Sequence, residues 1–134
     1  MFEYRWLTES DYDEICRWWK DNRFPPIPRE FLPDNGTCGI MISRQEINVC
    51  AGFLYTTNSA FAWIEYVVMN FDVKDREVRK KARNMLVEII ISQAQMLGSK
   101  ALFSSCKNEH MKKILLENGF AVGTDKTTEL IKIL

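Results

Sequence analysis

Lys74, Arg76, Arg79, Lys80, Lys81 and Arg83 crowd the stretch from Asp72 to Arg83, which holds no apolar run and leads directly into a helical pattern. Cations at a helix N-terminus oppose the macrodipole and are unfavourable unless an anion shares the site. One reading is therefore a phosphate site built from backbone N–H groups and flanking lysine and arginine side chains. The other is a solvated helix start, in which Asp75 caps a helix beginning there and the turn's amides are used within the helix. Just upstream, Glu65 is the sole charged residue of AFAWIEYVVMNF. Phe61, Trp63, Ile64, Tyr66, Val67, Val68 and Met69 are too continuous for a strand wetted on one face, so the strand is expected to lie centrally and be covered on both. A carboxylate in such a strand must reach a cavity, find a partner or hold a proton.

Other chemistries are poorly supplied. The single histidine, His110, lies in KNEHMKKI, the context of a helix surface, which gives a Ser/His/Asp or Cys/His hydrolase one poorly placed base. The four cysteines, Cys16, Cys38, Cys50 and Cys106, show neither CxxC spacing nor metal-ligand pairing. They read as reduced thiols of a cytoplasmic protein, with no metal. A net charge of zero argues against a general nucleic-acid binder and leaves only a local basic patch. The opening MFEYRWLTESD has no apolar signal core, and no run approaches the roughly 18 residues of a membrane span.

The elements that must position these groups follow from periodicity. A chain of 134 residues with 46% hydrophobic content is read as one domain, 1–134. Phe2 to Leu7 suits a short strand. Thr8 or Ser10 then caps a helix whose inner face is Tyr12, Ile15, Cys16 and Trp19, ending near Asn22. Adjacent Trp18 and Trp19 are not expected both to face inward, so one should be partly exposed. Pro25, Pro26 and Pro28 exclude regular structure beyond a helical turn over Arg29 to Leu32. CGIMIS and EINVCAGFLYTT read as antiparallel strands joined by a tight turn, and Asn58-Ser59 turns into the strand of Glu65. From Ala82 the positions Leu86, Ile89, Ile90, Gln93, Ala94 and Leu97 keep one helical face mostly apolar until Gly98. KALFSSC is then a buried strand parallel to that of Glu65, Asn108 to Asn118 a helix with Met111, Ile114 and Leu115 inward, and FAVGT with ELIKIL a closing strand pair. The sum is α+β: a mixed, twisted sheet of about seven strands with about four helices.

That order, the strand-to-cationic-turn-to-helix unit and the late NEHMKKILLENGF resemble the GCN5-related N-acetyltransferase (GNAT) superfamily over essentially the whole chain. A Trp-rich first helix and Pro-rich segment look most like the small GNAT-like proteins of bacteriophage genomes. The resemblance implies acetyl-CoA as co-substrate. Its pantetheine arm would meet the backbone of Val67, Val68 and Met69 and the side chain of Asn108. Its pyrophosphate would lie in a turn at Val78 to Arg83, bound by Arg79, Lys80, Lys81, Ala82, Arg83 and Asn84. The sequence departs from the family pattern at Lys81 and Arg83, where glycines are usual, and at Leu115, where a tyrosine general acid is common.

In this frame Glu65 is the candidate general base, directly or through water, and a carboxylate paired with a nearby cation is the structural alternative. Asn108 is equally a helix N-cap. Ser104, Ser105 and Tyr66 are available as acids, with nothing to select among them. Trp19, Arg23, Phe24 and Phe31 would border the acceptor. The implied activity is direct acyl transfer to a small-molecule or peptide amine in a ternary complex, by a monomer or homodimer, and the rival is a GNAT-like domain that binds acyl-CoA or a protein without catalysis.

Overall fold

In the computed structural model, which describes residues 1–134, five strands form one sheet in the order β1-β2-β3-β4-β5. The strands are β1 (Phe2–Trp6), β2 (Gly39–Arg44), β3 (Ile47–Thr56), β4 (Phe61–Met69) and β5 (Ala101–Phe103). The first four run antiparallel in sequence order, and β5 is parallel to β4 because α2 (Arg76–Met96) crosses between them. The β2–β3 turn places both Gln45 (φ 52°) and Glu46 (φ 66°) in the left-handed region, the geometry that matches strand twist.

One sheet face carries α2 and α3 (Glu109–Glu117). Ala82, Leu86, Val87, Ile90 and Ala94 pack there on Ile40, Ile42, Val49, Cys50, Ile64 and Met69, and Met111, Ile114 and Leu115 join from α3. The helix comes so close that a Cβ on Gly52 would lie 3.0 Å from both Leu86 Cδ2 and Val67 Cγ2. The opposite face carries α1 (Tyr12–Asp21), with Ile15, Trp18 and Trp19 set on Met41, Ala51, Phe53 and Val68.

Caps fix these helices. Asp11 accepts from Arg5 at 2.8 and 2.9 Å and from the Thr8 N–H at 2.7 Å, tying the start of α1 to β1. At the other end Asn22 Nδ2 donates to Trp18 O at 2.7 Å and to Met69 O at 3.2 Å, fastening α1 to the end of β4. Gly98 (φ 86°) and Gly119 (φ 92°) supply the left-handed stops after α2 and α3.

Several expectations are corrected. There are five strands and three α-helices, not about seven and four. The missing strands are FAVGT and ELIKIL: residues 120–134 form no strand, and Leu130, Ile131 and Ile133 stand 88%, 74% and 71% exposed. Their apolar positions come in adjacent pairs, so an extended chain gives them no single face to bury. The strand of Glu65 is not central either. β3 holds the middle, and Phe61 of β4 is 45% exposed. β5 is parallel as expected but only three residues long and partly exposed. Trp18 and Trp19 are both buried, at 0% and 3% exposure. The Pro-rich segment packs against both α1 and the sheet, pinned by Tyr12 Oη on Ile27 O at 2.7 Å and by Tyr55 Oη on Phe31 O at 2.8 Å, and adds Leu32 and Ile27 to the same cluster.

Candidate functional site

β4 and β5 pair only through Phe61↔Ala101, Ala62↔Leu102 and Trp63↔Phe103, and beyond that point they part. The cause lies on the other side of β4. Ala51 faces Val68 and Phe53 faces Glu65, so Tyr66 and Val67 together oppose the single residue Gly52. This is a β-bulge, and Tyr66 sits in it at φ 56°, a conformation costing a non-glycine residue about 1–2 kcal/mol. Packing of its ring against Trp19 (6.4 Å between centroids) and Tyr55 (6.1 Å) offsets that cost. The bulge bends β4 away from β5 and opens a gap through the sheet.

Backbone alternation gives the gap its chemistry. Asn70 N–H donates to Val49 O at 2.8 Å, toward β3. Met69, one residue back, therefore points its peptide groups to the opposite edge, where its carbonyl meets Asn22 and no strand lies across from it. Val67 lies two residues back along the same edge.

Glu65 stands at the mouth of the gap. Its Oε1 accepts the Ser105 N–H at 2.7 Å, reaching across from β4 to the segment after β5. Its partner is thus a backbone amide and not a cation. Burial pushes the carboxyl above its ordinary value, the Ser105 bond opposes this, and Glu129 adds to the rise. The Tyr66 hydroxyl is raised by burial and by the same two carboxylates.

The cationic stretch is corrected most. α2 starts at Arg76, so Val78 to Arg83 is helix and not a turn. Asp75 Oδ1 accepts from Glu77 N at 2.9 Å and Val78 N at 3.3 Å, and Arg79 N bonds Asp75 O at 3.0 Å. Arg79 Nη1 donates to the carbonyls of Asn70 (2.9 Å) and Val73 (2.8 Å), shaping the loop after β4. Lys80 and Lys81 are exposed, and Ala82 is core. Asn84 joins α2 to the end of α3, accepting from Asn118 Nδ2 at 2.8 Å and donating to Glu88 at 2.6 Å.

Arg83 is different. It is 9% exposed, yet its guanidinium makes no hydrogen bond or ion pair with the protein. Burial and then Arg79 pull its pKa down, with the Cys50 and Cys106 thiols the groups that oppose this. Cys106 follows β5 and Cys50 lies in β3, so the guanidinium stands beneath the gap on the α2 side. The rest of the side chain is buried while its guanidinium nitrogens keep contact with solvent, so the charge is free to meet an anion on that side.

The remaining candidates scatter. Asn108 Oδ1 caps α3 through Met111 N–H at 3.0 Å. Leu115 is buried at 5% in the core with Met111 and Ile114. Trp19 is core and cannot be a surface contact, whereas Phe24 and Phe31 are 63% and 48% exposed. Arg23 adopts φ 64° as α1 ends. Phe31 reaches the site through its carbonyl, which accepts from Tyr55 Oη at 2.8 Å. Sequence reasoning missed the bulge at Tyr66, the tie of Asn22 and the burial of Arg83. Only Gly52, a residue that permits close backbone approach, hints at the first.

No protein-family model matches the sequence, and no curated protein matches it significantly. Solved structures do match. N-acetylglutamate synthase from Neisseria gonorrhoeae, complexed with coenzyme A and L-arginine, superposes with a TM-score of 0.73 at 18% identity, over 96% of this chain and 29% of that one. The ribosomal-protein-S18-alanine N-acetyltransferase from Escherichia coli gives 0.72 at 14%, over 92% and 80%. Glucosamine-6-phosphate N-acetyltransferase from Arabidopsis thaliana gives 0.66 at 14%, over 98% and 99%. The chain has the fold of the GNAT acetyltransferases.

Proposed function

We propose that this chain is an acetyl-CoA-dependent N-acetyltransferase of the GNAT superfamily, working in the cytoplasm by direct attack of an amine within a ternary complex. The observation that carries the reading is the gap between β4 and β5, opened by the bulge at Tyr66, with an unpaired backbone edge on one side and Glu65 at its mouth. The pantetheine arm lies along the edge of Val67, Val68 and Met69, where the Met69 N–H polarises the thioester carbonyl. Glu65 takes a proton from the acceptor ammonium, and the free amine attacks the carbonyl carbon. The C–N bond forms, the nitrogen gives up its second proton to solvent as the C–S bond breaks, and the departing thiolate takes a proton from solvent.

The pyrophosphate rests on side chains more than on amides. Asp75 already occupies the helix N-terminus, so the positive charge comes from Arg83 below the gap, with the exposed Lys80 and Lys81 of the same helix adding to the local field. Calorimetry with CoA tests this. Arg83→Met should weaken binding by roughly tenfold or more, as expected for the loss of a charge-assisted contact. Equal affinity removes Arg83 from the site, and no binding by the wild type removes the reading as a whole. A second reading, an acyl-CoA-binding domain without turnover, is favoured by buried Leu115 at the position of the family's tyrosine acid. CoA binding without release of free thiol in the presence of any amine selects it.

A further inference from the structure

The face of β4 that α1 leaves uncovered carries a strip of aromatic rings on both sides of one carboxylate. Ala62 and Ile64 turn into the α2-side core, both at 0% exposure, so Phe61, Trp63 and Glu65 share the opposite face. At the near end Phe103 packs on Phe61 and on Trp63, with centroids 4.8 and 4.9 Å apart, and Phe61 and Phe103 are 45% and 46% exposed. Beside Trp63 in register lies Tyr55, which meets Tyr66 at the far end. α1 reaches only as far as Tyr66, through Trp19. The rings therefore form an open track that runs into the mouth of the gap.

The charge at the Glu65 end of this track is acidic. Glu65 and, from the C-terminal segment, Glu129 both act on Tyr66, and neither carboxylate makes an ion pair. An acceptor bearing a carboxylate or phosphate would meet repulsion here and find no partner. A cation on a flat apolar body finds carboxylates for its charge and ring faces for its body.

We infer that the acceptor is a primary amine carried on an aromatic or similarly flat apolar group, bound along Phe61, Trp63 and Phe103 with its nitrogen at Glu65. The inference rests on the acyltransferase reading for its chemistry but not for its binding. In the reaction the ammonium loses one proton to Glu65, its nitrogen bonds the acetyl carbon and gives up a second proton to solvent as the C–S bond breaks, and the thiolate takes a proton from solvent and leaves as free thiol.

The test uses the full chain with phenethylamine as probe and glutamate and glucosamine 6-phosphate as counter-probes. Calorimetry in the presence of CoA reads amine binding, and free-thiol release from acetyl-CoA reads turnover. Phenethylamine should bind, and should be preferred in turnover over both counter-probes by about a hundredfold in kcat/KM, the scale set by placing an unpaired anion against carboxylates. Trp63→Ala and, as a separate more exposed change, Phe103→Ala should each weaken phenethylamine binding about tenfold with CoA affinity unchanged. Binding of phenethylamine without thiol release upholds the acceptor site and overturns acyl transfer. Turnover that favours glutamate or glucosamine 6-phosphate overturns the inference and leaves acyl transfer standing. Failure of phenethylamine to bind, or equal binding by both variants, also overturns it.

Discussion

Glu65 brings together the residue-scale facts that matter most. It is held by one amide, faces no cation, and has a raised pKa because burial outweighs the Ser105 bond. A base works only when deprotonated, so the low-pH limb of kcat/KM should fall above the ordinary carboxylate value of about 4.3. Glu65→Gln keeps the shape and can still accept from Ser105. It should abolish that limb and lower turnover by roughly a hundredfold, with partial recovery at high pH where the amine deprotonates unaided. A pH–rate profile of the two proteins with unchanged CoA affinity checks this. An unaltered limb would assign the titration to another group.

At the scale of elements, α1 sets the acceptor side of the gap because Asn22 bonds the Met69 carbonyl, and α1 is in turn set by its N-terminus. There Arg5 holds the Asp11 carboxyl below its ordinary value, chiefly through their hydrogen bonds, with burial opposing. A depressed folded pKa means that the stabilisation is complete above the unfolded value of about 3.9 and disappears as pH falls through the folded one. Asp11→Asn should therefore cost about 1–2 kcal/mol at neutral pH, the range for losing a helix cap and its partner. The unfolding curves of the two proteins should begin to converge below about pH 4 and meet once pH lies below the folded pKa of Asp11. A difference that persists undiminished in acid would mean that packing, not charge, holds this corner.

At the scale of the molecule, the sheet and α2 come into close contact where the gap begins. Gly52 lies under the bulge, and a methyl group there would press on Leu86 of α2 and Val67 of β4 together, at 3.0 Å each. Gly52→Ala should lower stability by about 1–2 kcal/mol, a fall in melting temperature of several degrees for a domain of this size. Because Val67 belongs to the edge proposed for pantetheine, CoA affinity should fall with it. Loss of stability with CoA affinity intact would uncouple the layer packing from the gap.

Much of this was legible in the chain. The period of α2, the Pro-rich break, the antiparallel pairing of CGIMIS with EINVCAGFLYTT, the parallel relation of β4 and β5 and the glycine stops after α2 and α3 are local matters of side-chain spacing and backbone freedom. Glu65 stood out because a carboxylate in an apolar strand demands an explanation wherever the strand lies. Three things required the tertiary structure. The helix boundary moved to Arg76 because a single carboxylate, Asp75, satisfies two amides, a contest between capping and ligand binding that spacing leaves open. Both tryptophans are buried because the Pro-rich segment adds Ile27 and Leu32 to the cluster that α1 makes with the sheet, and one helix's periodicity carries no knowledge of a second cover. The gap itself arises from a left-handed tyrosine, a conformation its own side chain disfavours and only the packing of Trp19 and Tyr55 around it sustains.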